Sequence, residues 1–508
     1  MYTKGQSPTW KGRINVNERF TIVLKVSVLL AASFVAIGVL IPDQMEALFL
    51  LLQSFMFQTF GWYFQLIATL FFIFAVYLAF SKYGRIRLGK PDEKPEFSRG
   101  TWFSMLFSAG IGIGLFFFGV SEPVGHFSSP PSGEGGTAAD AVGGVTYTWL
   151  HWGLHAWAIY ALVALALALQ QFRYKAPGLM SATLIPLFPN HMKGGWGHTV
   201  DIVSVFATIF GVSASLGLGA QQINSGLQFL FGVPYNFFVQ LLIMAVITII
   251  FIVSATTGIH RGIKYLSTIN ISLSGAFLLF IAFTGPTLFL LNMFASSLSH
   301  YASTFIPMGL RMSPVDAQEA EWTQIWTVFY WAWWISWTPF VSMFIARVSR
   351  GRSIREFISG VILAPSLVTF FWFAMVGGTG IHMELYDGVD ISSQPLETAL
   401  FTVLQELPLS LLVSVVAMFI VLIFFVTSAD SATFVLGSQS TGGKLNPPPT
   451  IKVMWGIIFV SATSILLAIG GLDAFQTAIV VLALPLSIII ILMCFGIMKT
   501  LRGEEDYL

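Results

Sequence analysis

The sequence has little charge and almost no cysteine. Of its 508 residues only 10% are Asp, Glu, Lys or Arg, while 56% are hydrophobic. Soluble domains carry about 25% charge, so an ordinary soluble globular protein is excluded. The single cysteine, Cys494, excludes an intrachain disulfide and a cysteine-based metal site. The net charge of +1 gives no reason to expect a nucleic-acid partner, and the composition indicates a polytopic membrane protein.

A cleavable signal peptide is also not recognisable, because the first apolar run is too long and no A-x-A-like site follows it. Twelve runs are long enough to cross a bilayer: 20–41, 59–81, 101–121, 143–170, 199–229, 234–254, 266–296, 322–348, 356–378, 408–437, 451–471 and 474–498. If both termini are cytoplasmic, every Lys and Arg except Arg311 falls inside, as the positive-inside rule requires. The acids Asp43, Glu122 and Glu134 then fall outside. We therefore predict an all-α, multi-pass protein of the cell membrane.

The eighth span carries an unusual group of tryptophans at its middle. Trp331, Trp333, Trp334 and Trp337 lie within seven positions, whereas interfacial tryptophans normally lie at the ends of a span. Such rings can pack against neighbouring helices. They can also bind a cation that has no N–H donors, by about 0.5–2 kcal/mol per ring. This stretch alone leaves both interpretations open.

The third span contains three glycines two residues apart, Gly110, Gly112 and Gly114. Each weakens a helix by about 1 kcal/mol relative to alanine. Glycines can allow close helix packing or can let a helix unwind. Successive glycines here point about 200° apart and cannot form one packing face, so an unwound segment is favoured. No strand precedes them, which argues against a nucleotide site.

The fourth span places Trp152, Trp157 and Tyr160 on one broad face of a continuous helix. His151 and His155 are four residues apart and could hold a metal ion. Since no carboxylate or further histidine of matching depth is evident, we interpret them as hydrogen-bonded packing residues.

Hydroxyl residues occur in two other spans. Thr208 and Ser215 in the fifth span could line a polar path or only pack. In the tenth span, Thr427 and Ser428 could offer hard oxygen ligands to a small cation, or bond back to the carbonyl four residues earlier. Asp430 is either functional or paired with a cytoplasmic arginine.

These features converge on one depth. Counting from the span ends places the glycines, the aromatic face and the tryptophan group near mid-bilayer, where secondary transporters bind substrate between broken helices. The glycine-broken third span and an eighth span interrupted at Pro339 lie five spans apart. They fit corresponding elements of two inverted halves.

Several motifs resemble those of the betaine/choline/carnitine transporter (BCCT) family, and the resemblance covers most of the chain. They are G-I-G-I-G at 110–114, S-E-P at 121–123, H-W-G-L-H-A-W-A-I-Y at 151–160, H-R-G-I-K-Y-L-S at 260–267, Y-W-A-W-W-I-S-W-T-P-F at 330–340, A-R-V-S-R-G-R-S-I-R-E-F at 346–357 and T-S-A-D-S at 427–431. The resemblance implies a LeuT-like fold of two inverted five-helix repeats, and usually a homotrimer. Two extra helices and a cytoplasmic N-terminus would occupy 1–99. The repeats would occupy 100–300 and 301–499, the second with an interfacial segment near 297–312, before a short tail at 500–508.

The resemblance also implies a binding site. Trp152, Trp157, Tyr160 and Trp334 would form an aromatic box around a quaternary ammonium, with Trp333 and Trp337 lining the inward path. Backbone N–H groups of 110–114, helped by Ser215, would bind the substrate carboxylate. One Na⁺ would lie between the hydroxyls of Thr427 and Ser428 and the carbonyls of Ser108, Ile111 and Phe424. Thr208 matches half of a second Na⁺ site, but Val212 replaces the other threonine.

Two positions favour one variant of the family's function. Choline-selective members often carry an acid where this chain has Gly114, which favours a zwitterionic substrate. Sodium-independent exchangers place an arginine where Ile271 stands, which favours Na⁺ coupling. The long basic tail of osmosensing relatives is missing, so regulation through such a tail is not expected.

We therefore predict a secondary active transporter, not an enzyme, that imports a betaine-type compatible solute by Na⁺ symport. Glycine betaine is the favoured substrate, Na⁺ is the coupling ion, and no cofactor is needed. Alternatives within the fold are ectoine, proline or choline transport, proton coupling, and carnitine/precursor exchange. An intramembrane enzyme would need a midplane cluster of catalytic groups, and a channel would need a continuous polar pore.

Overall fold

The computed structural model describes residues 16–110, 112–257, 260–444 and 446–504, and within these ranges the regular secondary structure is helical apart from one isolated β-bridge between Arg87 and Ser353. The helices are α1 (Val16–Leu40), α2 (Pro42–Phe80), α3 (Arg99–Gly110), α4 (Ile113–Ser128), α5 (Ala138–Trp152), α6 (Leu154–Ala168), α7 (Gly195–Phe231), α8 (Phe237–Thr257), α9 (His260–Thr284), α10 (Thr287–Gly309), α11 (Ala317–Thr323), α12 (Phe329–Val348), α13 (Ile354–His382), α14 (Ala399–Gln405), α15 (Ser410–Ser440), α16 (Pro449–Ile469) and α17 (Leu472–Arg502).

Among the described residues, nine helical stretches are long and apolar enough to cross a membrane, and one further apolar stretch, Phe237–Val253, is shorter. This confirms the all-α membrane architecture. The number of twelve spans stays a prediction, because the short helices α3 and α4 of the third span and the helix α12 of the eighth span are not among these stretches.

The third span is interrupted, as its glycines predict. The helix α3 ends at Gly110 and α4 begins at Ile113, with Gly112 between them at φ −148° and ψ −145°, outside the helical region. Ile111 lies outside the described residues, as do the side chains of 107–110, Ser108 included.

The fourth span, predicted at 143–170, lies within one apolar stretch long enough to cross a membrane, Ala138–Arg173, but a break that was not predicted divides it. The helix α5 ends at Trp152 and α6 begins at Leu154. At this break α13 approaches closely: a Cβ at Gly153 would lie 2.5 Å from Cε1 of Phe370, which stacks on Trp149 at 4.5 Å between ring centroids. Glycine alone leaves room for that ring.

Two further predictions are wrong: the end of the seventh span and the interruption of the eighth span at Pro339. The predicted span 266–296 ends at Thr284, because the Gly285–Pro286 pair cannot continue the helix, and α10 then runs as a separate helix from Thr287. In contrast, α12 continues through Pro339. Proline removes the N–H that would bond to the carbonyl of Ile335, but the hydroxyl of Thr338 donates to that carbonyl at 2.7 Å.

The helices that carry the predicted site lie at the centre of the molecule. In the most apolar part of the stretch 138–173, 94% of residues are buried, against 22% in α1. The side chains of α12 from Phe329 to Pro339 are all buried. The tryptophan group therefore faces protein on every side, and α1 lies at the periphery.

Candidate functional site

Four aromatic rings from three helices form a contiguous chain in the core. The ring centroids of Trp152 on α5 and Trp334 on α12 lie 5.0 Å apart, with the ring planes at 67°. Tyr160 on α6 lies 6.2 Å from Trp334 and 5.6 Å from Trp157. All four residues are buried. The structure thus brings together the predicted aromatic box, and its role in binding stays a prediction.

The break at Gly153 has a direct part in this arrangement. Because α5 ends at Trp152, its last carbonyls have no partner within the helix. The indole Nε1 of Trp334 donates to the carbonyl of His151 at 2.6 Å. One ring of the box is therefore fixed to the end of the helix that carries another.

The remaining two tryptophans connect α12 to α7. Trp333 stacks on Trp334 with centroids 5.0 Å apart and planes at 8°, and the centroid of Trp337 lies 6.2 Å from that of Trp334. The Nε1 atoms of Trp333 and Trp337 both donate to the carbonyl of Gly211, at 3.4 and 2.7 Å. These rings lie beside the box and are hydrogen-bonded to α7, and their role in lining an inward path stays a prediction.

A buried carboxylate behind the box is the main functional candidate that the sequence reasoning missed. Glu122 was predicted to lie just beyond the third span, on its outer side; the predicted end of that span at 121 is wrong, because α4 continues to Ser128, and the side chain of Glu122 is completely buried. Its Oε2 accepts from Nε1 of Trp152 at 2.7 Å and from the hydroxyl of Tyr330 at 2.5 Å. The detectable signal was an acid with His126 four residues later in an otherwise apolar stretch.

Two histidines also contact this carboxylate. The Oε1 atom lies 2.7 Å from Nδ1 of His151 and 3.3 Å from Nε2 of His126. The inference that no carboxylate or further histidine matches the depth of His151 is therefore wrong. Although these potential ligand atoms lie within 4.8 Å of one another, two ligands of one tetrahedral ion should be about 3.3 Å apart. The 2.7 Å contact is a hydrogen bond.

His155 lies in a different environment. Its Nε2 hydrogen-bonds with the hydroxyl of Thr69 at 3.2 Å, and its ring packs against Trp331 at 4.8 Å between centroids. The pair His151 and His155 therefore does not converge on one ion, which confirms their interpretation as hydrogen-bonded packing residues.

One polar atom of the box lacks a partner. The hydroxyl of Tyr160 is buried and makes no hydrogen bond to any residue that the structure describes. Buried polar atoms are normally paired, so this phenol is available to a ligand. Because Trp152 and Trp334 touch, an ammonium group can bind only against their outer faces or after the rings separate.

The candidate cation ligands on α15 lie opposite the break in the third span. An ideal Cβ on Gly112 would lie 4.0 Å from Oγ of Ser428. The hydroxyl of Thr427 lies 2.9 Å from the carbonyl of Ile423 and 3.2 Å from that of Phe424, so the alternative of a backward bond is confirmed for Thr427. A donating hydroxyl keeps lone pairs that a cation can use.

The predicted residues of α7 are both buried. The hydroxyl of Thr208 donates to the carbonyl of Ser204 at 2.8 Å, with Oε1 of Gln439 at 3.4 Å as a second acceptor, while Val212 supplies only an apolar side chain. Ser215 lies two turns further along α7, and therefore on the same face of the helix as Thr208. Their roles in ion and carboxylate binding stay predictions.

Comparisons with a family model and with individual known proteins point to the same family. The family described as "BCCT, betaine/carnitine/choline family transporter" matches residues 22–506. The chain is 47% identical to the glycine betaine transporter OpuD of Bacillus subtilis, over 97% of this chain and 95% of that protein. It is 40% identical to an ectoine/hydroxyectoine transporter of Virgibacillus pantothenticus, over 95% of this chain and 97% of that protein.

More distant similarities extend this result. An osmo-dependent choline transporter, BetT2, of Acinetobacter baylyi is 39% identical over 95% of this chain and 71% of its own length. Among solved structures, a Na⁺-coupled sialic acid symporter in its substrate-bound, outward-open state matches with a TM-score of 0.50 over 87% of each chain. At 13% identity, that structure shows a shared LeuT-like fold and nothing further.

Proposed function

Since the chain belongs to the betaine/carnitine/choline transporter family, whose members are transporters and not enzymes, we propose that it is a symporter that imports glycine betaine together with Na⁺. The observation that carries this proposal is the buried chain of four rings, Trp157, Tyr160, Trp334 and Trp152, beside the broken third and fourth spans.

The substrate assignment follows from the chemistry of the box. A trimethylammonium group has no N–H to donate, so ring faces are the groups that can bind it without leaving a polar atom unpaired. A zwitterion also needs donors for its carboxylate. Backbone N–H groups of 110–114, where the helix is interrupted at Gly112, are candidates for that role, as are Ser215 and the unpaired hydroxyl of Tyr160.

The Na⁺ assignment rests on oxygen ligands and on missing positive charge. Oγ of Ser428 lies 4.0 Å from an ideal Cβ on Gly112 at the break in the third span, and the hydroxyl of Thr427 lies 3.2 Å from the carbonyl of Phe424. These three hard oxygens would bind the ion, and Ser108 and Ile111 would complete the set. The sequence has no Lys or Arg from 265 to 310 that could replace the ion. Symport further requires that Na⁺ and substrate raise each other's affinity.

The remaining parts of the proposal concern the assembly. We infer twelve spans with cytoplasmic termini, two inverted five-helix repeats that rock against each other, and a homotrimer in the plasma or inner membrane. An ectoine, proline or choline substrate is the second candidate, because relatives at 39–40% identity transport ectoine and choline.

A binding panel tests the proposal. Tryptophan fluorescence of the purified protein would be titrated with glycine betaine, choline, carnitine, ectoine and proline, in NaCl and in KCl. Glycine betaine should bind most tightly, and only in NaCl. Tighter binding of ectoine, or equal binding in KCl, would contradict the assignment. Trp196→Phe is a suitable control, because Trp196 is 69% exposed at the start of α7 and should not contribute to the signal.

A further inference from the structure

Glu122 connects three helices at the back of the aromatic box. It lies on α4, and its four hydrogen-bond partners lie on α4 itself, on α5 and on α12. They are His126, His151, Trp152 and Tyr330. Both atoms of the carboxylate are used, Oε2 by the indole and the phenol and Oε1 by the two imidazoles.

The contacts of Glu122 reach two rings of the box. Its Oε2 accepts directly from Nε1 of Trp152, and so fixes the rotation of that indole about its side-chain bonds. His151 bonds to Oε1 through its side chain, while its backbone carbonyl accepts from Nε1 of Trp334. The 67° angle between the indoles of Trp152 and Trp334 is therefore fixed by two hydrogen bonds, one to Glu122 and one to the carbonyl of His151.

We propose that Glu122 is a positioning residue for substrate binding: by accepting from Trp152 and Tyr330 it holds the box in the geometry that receives the quaternary ammonium. This inference rests on the proposed function. Ring orientation affects affinity because a cation is attracted to the face of an indole and not to its edge. A ring that rotates freely before binding loses affinity through the entropy of ordering it.

The proposal assigns the effect to hydrogen-bond acceptance and not to negative charge. A glutamine can accept from Trp152 and Tyr330 with its oxygen and donate to Nδ1 of His151 with its nitrogen. His151 can adopt the matching tautomer, because its Nε2 then donates to the hydroxyl of Thr327, 3.0 Å away. An aspartate keeps the charge, but its side chain is one methylene too short to reach both donors.

The test compares Glu122→Gln, Glu122→Asp and Glu122→Ala by glycine betaine titration in NaCl. Glu122→Gln should stay within about threefold of the wild-type Kd, whereas Glu122→Asp and Glu122→Ala should weaken binding about tenfold or more. Wild-type affinity in Glu122→Asp and Glu122→Ala would overturn the proposal. So would a loss in Glu122→Gln as large as that in Glu122→Ala, because the charge would then be the cause.

A matched control separates positioning from general stability. Asp201 is another buried carboxylate, near the start of α7, and accepts from the backbone N–H and hydroxyl of Ser181 at 3.0 Å each. It precedes Gly211 by about 15 Å of helix. Asp201→Ala should lower the thermal unfolding temperature while the folded fraction keeps the wild-type Kd. If Asp201→Ala weakens binding as much as Glu122→Ala, the role of Glu122 is only structural.

The same experiment distinguishes this inference from the proposed function. If the wild-type protein binds no quaternary ammonium compound, the proposed function fails. If the wild type binds glycine betaine and the Glu122 variants bind it equally well, only the positioning role fails. If Glu122→Ala does not fold, the comparison of Glu122→Gln with Glu122→Asp still decides.

Discussion

Gly114 lies directly against the indole of Trp152: an ideal Cβ on the glycine would be 2.5 Å from Cη2 of the tryptophan. No real Cβ contact is that short, so any side chain at 114 must displace the ring. This contact connects the broken third span to the aromatic box. It also gives a steric meaning to the position at which choline-selective relatives are expected to carry an acid.

We therefore expect Gly114→Asp to weaken glycine betaine binding about tenfold or more, and to shift the preference toward choline. The ring must move in either case, and the new carboxylate would repel that of betaine while attracting the cation of choline. Titration with both ligands measures the shift. Gly114→Ala separates the two effects, because it should raise the Kd for both ligands without changing the ratio of the two Kd values. Unchanged betaine binding in Gly114→Ala would show that Trp152 does not contribute.

A second prediction concerns Trp334. Trp334→Leu should raise the Kd for glycine betaine about tenfold or more, because it removes a ring face from the centre of the box. Trp331→Leu is the matched control on the same helix: Trp331 is equally buried, but its Nε1 donates to Gln65 and its ring packs on His155. We expect Trp331→Leu to reduce thermal stability while the affinity persists. Equal loss of affinity in both variants would indicate packing rather than ligand contact.

The third prediction tests the cation ligands. The double variant Thr427→Ala, Ser428→Ala should raise the Na⁺ concentration needed for half-maximal uptake, because two oxygen ligands are lost. Uptake of labelled glycine betaine into liposomes across a series of Na⁺ gradients measures this. Thr433→Ala is the control, since its hydroxyl bonds back to the carbonyl of Asp430 on the same helix. Unchanged Na⁺ dependence in the double variant would remove the assignment.

The fourth prediction concerns the link between α7 and α12. Trp337→Phe keeps a ring but loses the hydrogen bond to the carbonyl of Gly211, which should lower stability by about 0.5–1.5 kcal/mol. Gly211→Ala should be more destabilising, because its Cβ would lie 2.8 Å from Cδ1 of Trp337. Thermal unfolding in detergent compares the two. If Gly211→Ala unfolds at the wild-type temperature, α7 and α12 can move apart at this contact without loss of stability.

The fifth prediction concerns the last described residue. Burial alone would raise the pKa of Glu504, but hydrogen bonds from Arg173 and Tyr174 hold it below its usual value of 4.5. A carboxyl with a lowered folded-state pKa stabilises the protein above its unfolded pKa and loses this effect as the pH falls through the folded value. Glu504→Gln should therefore be less stable than wild type at pH 7, and the difference should shrink below pH 4.5. A difference that is constant between pH 7 and pH 4 would contradict the ion pair.

The sequence predicted those features that follow from local chemistry. The glycines at 110, 112 and 114 predict an interrupted helix because their spacing matches no packing face, and the interruption is present. The tryptophans of α12 predict a buried aromatic group because no headgroup exists at mid-span, and all are buried. In both cases the inference needed only the period of a helix and the length of a span.

The features that were not predicted depend on partners distant in the chain. Residue 153 must be a glycine because Phe370, on α13, occupies the space of a Cβ. Glu122 is buried because donors from α5 and α12 meet it there, and hydropathy treats an acid near a span end as external. Pro339 leaves α12 intact because Thr338 satisfies the freed carbonyl, which is visible only once the side-chain rotamer is known.

The central claim is that the rings bind a positive charge and not merely an apolar group. The most direct test is to compare glycine betaine with its carbon isostere, 3,3-dimethylbutanoate, on the wild-type protein in NaCl. The two ligands have the same shape and carboxylate, and differ only in the charge at the centre of the three methyl groups. We predict that glycine betaine binds about fivefold to thirtyfold more tightly, as cation–π attraction of about 1–2 kcal/mol requires. Equal affinity for the two ligands would contradict the account.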